Sequence, residues 1–359
     1  MTDIVTASTV RNILISFVAV VLAFTTAALL LAAAGQNALE SFAGMATTAV
    51  GSTFAIGTTL TKAVPRLLPA LGIALALRAG LWNIGAEGQV YLGAAATAAV
   101  ALFGPQLPFP LGTALALIAA MMAGAAWAAI PGVLRAYRGF NEVITTLMMV
   151  YVAVQLTNYL IEGPWLVPNS TWPATPLIPF DFKLPLIWPG TLVNGGAVLA
   201  IVGVAVLALV VNRTTFGLWL RAIGGNERAS EVIGVPVRPM IVAALAASGA
   251  FAGLAGAVEV LGVRGRLLEG FSPGYGFEAI AIALLGRLNP LGILAASLLF
   301  GALDAGAAGL QVASVGISSA IAPVIEGLAV GYLLAALGLA ESISRRQEAR
   351  SALKMATRS

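Results

Sequence analysis

The sequence contains neither cysteine nor histidine, and only 9% of its 359 residues are charged. Without cysteine the chain cannot form a disulfide, a thiolate nucleophile or a cysteine–histidine zinc site. Without histidine it has no imidazole to act as a general base or proton relay. Charged residues make up about 25% of an ordinary soluble domain, so most of this surface is not expected to face water.

What the chain has instead is apolar residues, which make up 59% of it, with a mean hydropathy of +0.96. This composition excludes a disordered chain, a nucleic-acid-binding protein and a soluble enzyme. The 40 glycines follow no triplet period, which excludes a collagen-like chain. The composition therefore predicts a multi-pass protein of the lipid bilayer.

A membrane-spanning helix needs about 20 mostly apolar residues. The sequence predicts ten spans, at residues 13–34, 67–77, 81–103, 111–134, 143–161, 197–211, 240–261, 277–285, 291–310 and 317–339. The first resembles a signal peptide but its apolar run is too long for one, so we interpret it as an uncleaved span. Pro65 and Pro69 are placed at the start of the second, and residues 43–63 at the outer interface.

The basic residues predict the orientation. With the N-terminus in the cytoplasm and alternating spans, most of the 19 Lys and Arg residues are cytoplasmic, as the positive-inside rule requires. Five fall outside: Lys62, Arg66, Lys183, Arg264 and Arg266. The expected fold is therefore an all-α polytopic membrane protein, a single domain over residues 1–359, with both termini cytoplasmic and a cytoplasmic tail at 341–359.

Ten spans suggest two inverted five-helix repeats, because an odd number of spans per repeat inverts the second repeat. Residues 85–88, GAEG, open the third span, and residues 276–279, GFEA, open the eighth. Glycine-interrupted segments at matching places in two halves point to a substrate path.

The stretch at residues 80–89, GLWNIGAEGQ, is the most informative part of the chain. Asn83, Glu87 and Gln89 lie at a helix start in or near the membrane, where a carboxylate is costly unless it is paired or hydrated. One interpretation is a discontinuous helix that lines a translocation path. The other is a tight cytoplasmic turn with Glu87 solvated or placed at the positive end of the next helix.

Residues 212–239 form a long cytoplasmic segment. Asn226 suits an N-cap and Gly234 a helix stop about two turns later. Between them, Ala229, Val232 and Ile233 share one helix face. The pattern is compatible with a short helix that docks into a partner and equally with a connector lying on lipid headgroups.

Residues 163–190 form an outer loop that holds 7 of the 18 prolines and three of the six tryptophans. We expect it to be stiff and extended. Its tryptophans either anchor it at the membrane interface or form a landing surface for an external protein.

Four acids lie near or inside predicted spans: Glu142, Glu259, Asp304 and Glu326. Glu142 follows Arg138 by four residues, the spacing of a helix-end ion pair. Glu259 is expected to pair with Arg264 or Arg266, and Asp304 has no partner nearby in the sequence. A proton-coupled carrier could use such acids.

The motifs together resemble permease subunits of bacterial nucleoside-type ABC importers, within the group of simple-sugar and branched-chain amino-acid permeases. Residues 80–89 match the most specific signature. Three further stretches resemble the family: 139–148 (GFNEVITTLM), 222–229 (AIGGNERA) and 274–286 (GYGFEAIAIALLG). Residues 145–148 read TTLM where members often read STIM, a conservative departure. The resemblance covers about residues 60 to 340.

The resemblance implies a translocation subunit of the bacterial inner membrane that is not an enzyme and holds no cofactor or metal. The sequence has no phosphate-binding loop of the GxxxxGK[ST] type, so ATP would be bound by a partner. The implied partners are an ATP-binding subunit, a homologous second permease forming a heterodimer, and an extracytoplasmic solute-binding protein, with no nucleic acid.

The resemblance assigns expected roles to two sets of residues. The substrate path would hold Asn83, Glu87, Gln89, Tyr275, Phe277 and Glu278. The ATPase-coupling helix would hold Gly224, Asn226, Glu227 and Glu231. The expected solutes are nucleosides or related small polar molecules. The alternatives are a ribose-type sugar permease, an ion-gradient-driven secondary transporter, and a membrane scaffold without transport.

Overall fold

The computed structural model describes residues 2–33, 35–168, 172–313 and 321–336. Within them the chain forms helices joined by short turns and one long loop. The helices are α1 (Thr2–Ala33), α2 (Ala38–Val50), α3 (Thr53–Arg78), α4 (Ala86–Phe103), α5 (Leu111–Arg138), α6 (Glu142–Glu162), α7 (Gly196–Arg213), α8 (Thr215–Gly225), α9 (Glu227–Val232), α10 (Val237–Val258), α11 (Tyr275–Leu285), α12 (Pro290–Ala313) and α13 (Ile321–Ala336).

Seven of the described helices are long and apolar enough to cross a membrane: α3, α4, α5, α6, α7, α10 with its extension to Arg264, and α12 to Gly309. Three shorter apolar helical stretches are Phe17–Ala33, Tyr275–Leu285 and Ile321–Ala336. The chain is therefore a multi-pass, helical membrane protein, as the composition predicts.

The predicted start of the second span, residue 67, is wrong. Helix α3 begins at Thr53, capped by Ser52 Oγ, which accepts a hydrogen bond from the Ala55 amide at 3.1 Å. Pro65 and Pro69 lie inside the helix, where membrane proteins tolerate proline because neighbouring groups satisfy the freed backbone. Residues 53–63 thus belong to a span, and Lys62 and Arg66 lie within it instead of in an outer segment.

Two other boundaries differ from the predictions. The third span begins at Ala86, because residues 81–85 form a non-helical turn. The last predicted span, 317–339, is described over 321–336, and the tail at 341–359 lies outside the described residues.

The chain divides into two compact units, residues 1–45 with 307–359, and residues 46–306. In the first unit, Thr26 Oγ1 and Tyr332 Oη share a hydrogen bond of 2.7 Å between α1 and α13. Phe24 and Phe42 pack edge to face, with ring centroids 5.5 Å apart.

The second unit is built around α10, which packs most extensively against α5, α3 and α4. The α5–α10 contact is made of small residues: a Cβ on Gly124 or Gly249 would overlap the facing backbone carbonyl. Such positions let helix backbones approach closely, the usual packing of membrane helices.

Pairs of facing residues fix the helix directions in this unit. Gly132 faces Val242 and Gly124 faces Gly249, so α5 and α10 are antiparallel. The same contacts throughout the unit show that α4, α6 and α10 run one way, and that α3, α5, α7 and α11 run the other way.

The two ends of the unit differ in charge. One end, called here the arginine-rich end, carries Arg78, Arg135, Arg138, Arg213, Arg221 and Arg238 at helix termini and turns. The other, the loop end, carries residues 163–190. That loop lies along residues 261–268: the Ile178 amide donates to Gly265 O at 2.8 Å and the Leu184 amide to Leu261 O at 3.1 Å.

Candidate functional site

The candidate site forms where α4 and α11 begin. Arg66, near the middle of the 26-residue helix α3, pairs with Glu278 in the first turn of α11. Helix α11 therefore starts about halfway along α3, and its 11 residues extend only about 16 Å toward the arginine-rich end. Gly276 contacts Glu87 at the start of α4, which runs the opposite way. Two helix N-termini thus meet in the interior.

Glu87 joins these two helices. Its Oε2 accepts a hydrogen bond from the Gly276 amide at 2.6 Å, and the side chain is almost fully buried. A Cβ at Gly276 would overlap the backbone of Ala86 and Glu87, so only glycine allows this approach. The carboxylate lies in the first turn of α4 and beside the first turn of α11, where helix dipoles favour negative charge. Glu87 is therefore not solvated in a surface turn.

Asn83 and Gln89 form a second polar contact at the junction. Asn83 Nδ2 donates to Gln89 Oε1 and to Ser248 Oγ, both at 2.9 Å, and Gln89 Nε2 donates back to Asn83 Oδ1 at 3.0 Å. Both amides are 1% exposed. The paired amides fix the turn of residues 81–85 against α10. Together with Glu87 and Gly276 they make up the central junction.

Four charged side chains, called here the ion cluster, lie next to the junction: Lys62, Arg66, Glu278 and Asp304. Arg66 Nε lies 2.5 Å from Glu278 Oε2, and its Nη2 lies 2.9 Å from Asp304 Oδ2. Lys62 Nζ lies 3.0 Å from the same Asp304 oxygen. Asp304 has no partner nearby in the sequence, and both of its cationic partners lie on α3.

A second ion pair continues the polar groups toward the loop end. Arg66 lies over the ring of Tyr275 at 5.1 Å, and Tyr275 Oη donates to Glu259 Oε1 at 3.3 Å. Glu259 pairs with Arg264, Nε to Oε1 at 2.8 Å, which confirms one of the two predicted partners. Residues 259–264 form a π-helix, a local widening that often occurs at functional sites.

The six path residues predicted from sequence therefore fall in one region, although they come from segments far apart in the chain. Asn83, Glu87, Gln89 and Tyr275 are buried, Glu278 is partly exposed, and Phe277 is 43% exposed. Sequence reasoning missed Arg66 and Lys62. A signal existed, since two cations four residues apart within an apolar run of helix length need acidic partners.

The arrangement concentrates polar groups where α4 and α11 start, inside an otherwise apolar bundle. Ionisable groups within membrane spans are costly and usually face a water-filled cavity, a partner or one another. Half-length helices whose N-termini point into the interior are typical of solute paths in transporters. Lys62 and Asp304, each about one-third exposed, present the ion cluster at the surface of the unit.

At the arginine-rich end, α9 is held by its own cap. Asn226 Oδ1 accepts from the Ala229 amide at 2.9 Å, and Gly234 ends the turn at φ 86°, both as predicted. Val232 is 86% and Ile233 74% exposed, and Glu231 is also exposed, whereas Ser230 is buried. The helix thus presents an apolar face outward, flanked by charge.

Gly224 and Glu227 contact neighbouring helices in this segment, although the Glu227 side chain is 44% exposed. A Cβ at Gly224 would overlap the carbonyl of Arg78, so α8 packs closely on the end of α3. Glu227 Oε2 accepts from Arg135 Nη2 at 2.9 Å. Arg135 also pairs with Glu142, Nε to Oε2 at 3.2 Å, so the predicted pairing of Glu142 with Arg138 is wrong. The reason is geometric: the turn at residues 139–141 folds α6 back beside Arg135.

Comparison with known protein families identifies one matching family over most of the chain. Residues 55–337 match the family described as the branched-chain amino acid transport system / permease component. This range contains both the central junction and the α8–α9 segment.

Three characterised relatives are similar over most of their own length. The nucleoside ABC transporter permease protein NupB of Lactococcus lactis is 34% identical, over 84% of this chain and 85% of its own. The glucose ABC transporter permease protein TsgB13 of Haloferax volcanii is 34% identical, over 85% and 82%. The guanosine ABC transporter permease protein NupP of Bacillus subtilis is 33% identical, over 90% and 93%.

Proposed function

The chain belongs to the family of branched-chain amino acid transport system permease components, and from this premise we propose that it is the membrane subunit of an ABC importer for nucleosides or related small polar solutes. Movement would follow an alternating-access cycle driven by ATP hydrolysis in a partner subunit. The observation that carries the proposal is the central junction, where two helices begin against each other in the interior beside the ion cluster.

The solute path is proposed to run past the junction and the ion cluster. Lys62 and Arg66 face Glu278 and Asp304, two positive groups against two negative ones. The balanced charges of the ion cluster suit an uncharged polar solute, because these four side chains give neither an anion nor a cation a net attraction. Weak interaction with the path favours release, while a separate solute-binding protein supplies affinity.

The coupling contact is proposed to lie on α9, with Val232 and Ile233 entering a groove of the ATPase and Glu231 at its rim. Exposed apolar side chains of this size are the anchors that a helix offers to a groove. Gly224, Asn226 and Glu227, from the predicted coupling set, would instead shape and hold the helix, since they pack, cap and pair within the chain.

At the loop end, residues 163–190 are proposed to receive the solute-binding protein. Trp172 is 63%, Phe180 85% and Leu186 65% exposed, while Ile178 and Phe182 are buried and fix the loop to the bundle. A loop that is fixed to the bundle and exposes large apolar groups suits docking of another protein.

The test begins with the complex isolated from native membranes through an affinity tag on this chain. We expect an ATPase to co-purify, and proteoliposomes of the complex with its binding protein to accumulate labelled guanosine only with ATP. Val232→Glu and Ile233→Glu should lower ATPase retention. The control is Leu177→Glu, an exposed apolar position at the loop end that is 59% exposed.

Two outcomes would contradict the proposal. One is accumulation without ATP under an ion gradient, which indicates a secondary transporter. The other is unchanged cellular uptake after deletion, which indicates a scaffold. Competition between guanosine and glucose decides between the nucleoside and sugar assignments, because relatives of both kinds are equally similar to this chain.

A further inference from the structure

Arg135 occupies an unusual position at the arginine-rich end, because one guanidinium group holds two carboxylates from two other helices. Its Nε lies 3.2 Å from Glu142 at the start of α6, and its Nη2 lies 2.9 Å from Glu227 at the start of α9. The planar guanidinium has donors in a fixed fork, so it fixes both partners in direction as well as distance. Arg135, Glu142 and Glu227 are called here the clasp.

The α5–α6 side of the clasp is rigid. Gly139 ends α5 at φ 70°, and the amides of Gly139 and Phe140 donate to Arg135 O and Leu134 O. Asn141 Oδ1 then caps α6 by accepting from the Val143 amide at 2.9 Å. These bonds hold Arg135 and Glu142 in one fixed relation across a three-residue turn.

From α5 and α6 the connection reaches the central junction by close backbone packing. A Cβ on Gly85 or Gly88 would come within about 3 Å of Thr146 or Val150 on α6, so the start of α4 is seated on α6. On the other side, α5 is packed on α10 through Gly124 and Gly249. Closely packed helices shift together, so a displacement of α6 carries the residues around Glu87 with it.

Helix α9 itself is only six residues long and its outward face is exposed. Its other attachments run through α8, which precedes it directly, and through the start of α10, which follows it. Within the clasp, the ion pair between Arg135 and Glu227 ties α9 to the end of α5 in the described part of the chain.

Building on the proposed function, we propose that Arg135 is a positioning residue that transmits movement of α9 to the α5–α6 pair and so to the central junction. Arg135 contacts neither ATP nor solute in this role. Its loss should leave ATP hydrolysis intact while solute movement falls, because α9 can then move without displacing α6.

The first test measures ATP hydrolysed and guanosine accumulated by the same proteoliposomes of the complete complex. Arg135→Gln should lower the solute moved per ATP about fivefold or more, the lower end of ordinary coupling between sites. Arg138→Gln is the matched control, an exposed arginine three residues further along α5, and should keep the wild-type ratio. Arg135→Gln/Glu227→Gln should be no worse than Arg135→Gln alone, because both remove the same link.

The second test does not depend on transport. The chain has no native cysteine, so spin labels can be attached uniquely at Ile144→Cys on α6 and Arg228→Cys on α9, both exposed and neither on the proposed ATPase contact. With the clasp intact, the distance between the labels should remain one narrow distribution with and without ATP and vanadate. Arg135→Gln, or Glu227→Gln if the first variant does not assemble, should broaden it.

The results separate the two proposals. If the wild-type complex fails to couple ATP hydrolysis to uptake, the proposed function is wrong. The label distances then still test whether Arg135 holds α9 against α6. If the wild type couples but Arg135→Gln couples equally well, or Arg138→Gln loses as much, the clasp proposal is overturned. An unchanged, narrow distance distribution in Arg135→Gln would overturn it independently.

Discussion

The Gly276 amide lies 2.6 Å from Oε2 of Glu87, a hydrogen bond between residues 189 positions apart. It joins the first turn of α11 to the first turn of α4, and both residues belong to short glycine-rich motifs that share a glycine–any–glutamate pattern. The similarity between the motifs thus coincides with a direct contact in the folded chain. Four predictions concern the residues of this junction and of the neighbouring ion cluster.

Gly276→Ala should separate α4 from α11, because the new Cβ would overlap the backbone nitrogen of Glu87. Forcing an extra carbon into a packed site costs about 1–3 kcal/mol. We expect a lower thermal unfolding midpoint in detergent and loss of uptake. Gly327→Ala is the control, since a Cβ there meets no atom of the described residues within 4 Å. Equal midpoints for both variants would contradict the contact.

Glu87→Gln and Glu87→Ala should differ in stability. Glutamine keeps an oxygen that can accept from the Gly276 amide, whereas alanine leaves that buried donor without a partner, at a cost of about 1–3 kcal/mol. Chemical denaturation in mixed micelles should therefore rank alanine well below glutamine. If the two variants unfold together, the carboxylate is not the group that holds α11.

Arg66→Met should be strongly destabilising, by about 3–5 kcal/mol, because Arg66 is 3% exposed and its removal leaves Glu278 and Asp304 without that cation. Lys62→Met is the matched control one turn earlier on α3. Lys62 is 31% exposed and its ion pair is with Asp304, which Arg66 also contacts, so its loss should cost about 1 kcal/mol or less. A larger loss of stability at Lys62 than at Arg66 would contradict the assignment of Arg66 as the buried cation that holds both carboxylates.

Asn83 and Gln89 should behave as one unit. Gln89→Leu removes a partner of a buried amide and should cost about 1–3 kcal/mol. Combining it with Asn83→Leu should cost clearly less than the two single changes added together, as a double-mutant cycle would measure. Additive effects would mean that the two side chains do not stabilise each other, contrary to their 2.9 and 3.0 Å bonds.

The sequence predicts the class of fold and most spans, since apolar length is a local property. The start of α3 is predicted wrongly because Pro65 and Pro69 are typical of a helix boundary, although a buried membrane helix tolerates them. The wrong start places Lys62 and Arg66 outside the span, away from their partner Asp304.

Six residues of the candidate site are predictable from the sequence, but Lys62, Arg66 and the geometry of the site are not. Asn83, Glu87 and Gln89 can be chosen because polar side chains at a helix start within the membrane are costly unless they are paired or serve a function. Their contacts with Ser248 and Gly276 could not be predicted, because each partner lies more than 160 positions away and local spacing carries no information on such contacts. The Arg135–Glu142 pair likewise depends on the turn at Gly139, which local spacing does not reveal.

The central claim is that this chain is a path opened by ATP hydrolysis in another subunit. The direct measurement compares labelled guanosine accumulation in proteoliposomes holding the purified chain alone under a proton or sodium gradient with accumulation by the whole complex supplied with ATP. The account predicts accumulation in the second case and none in the first. Sustained accumulation by the isolated chain, driven by the ion gradient, would contradict it.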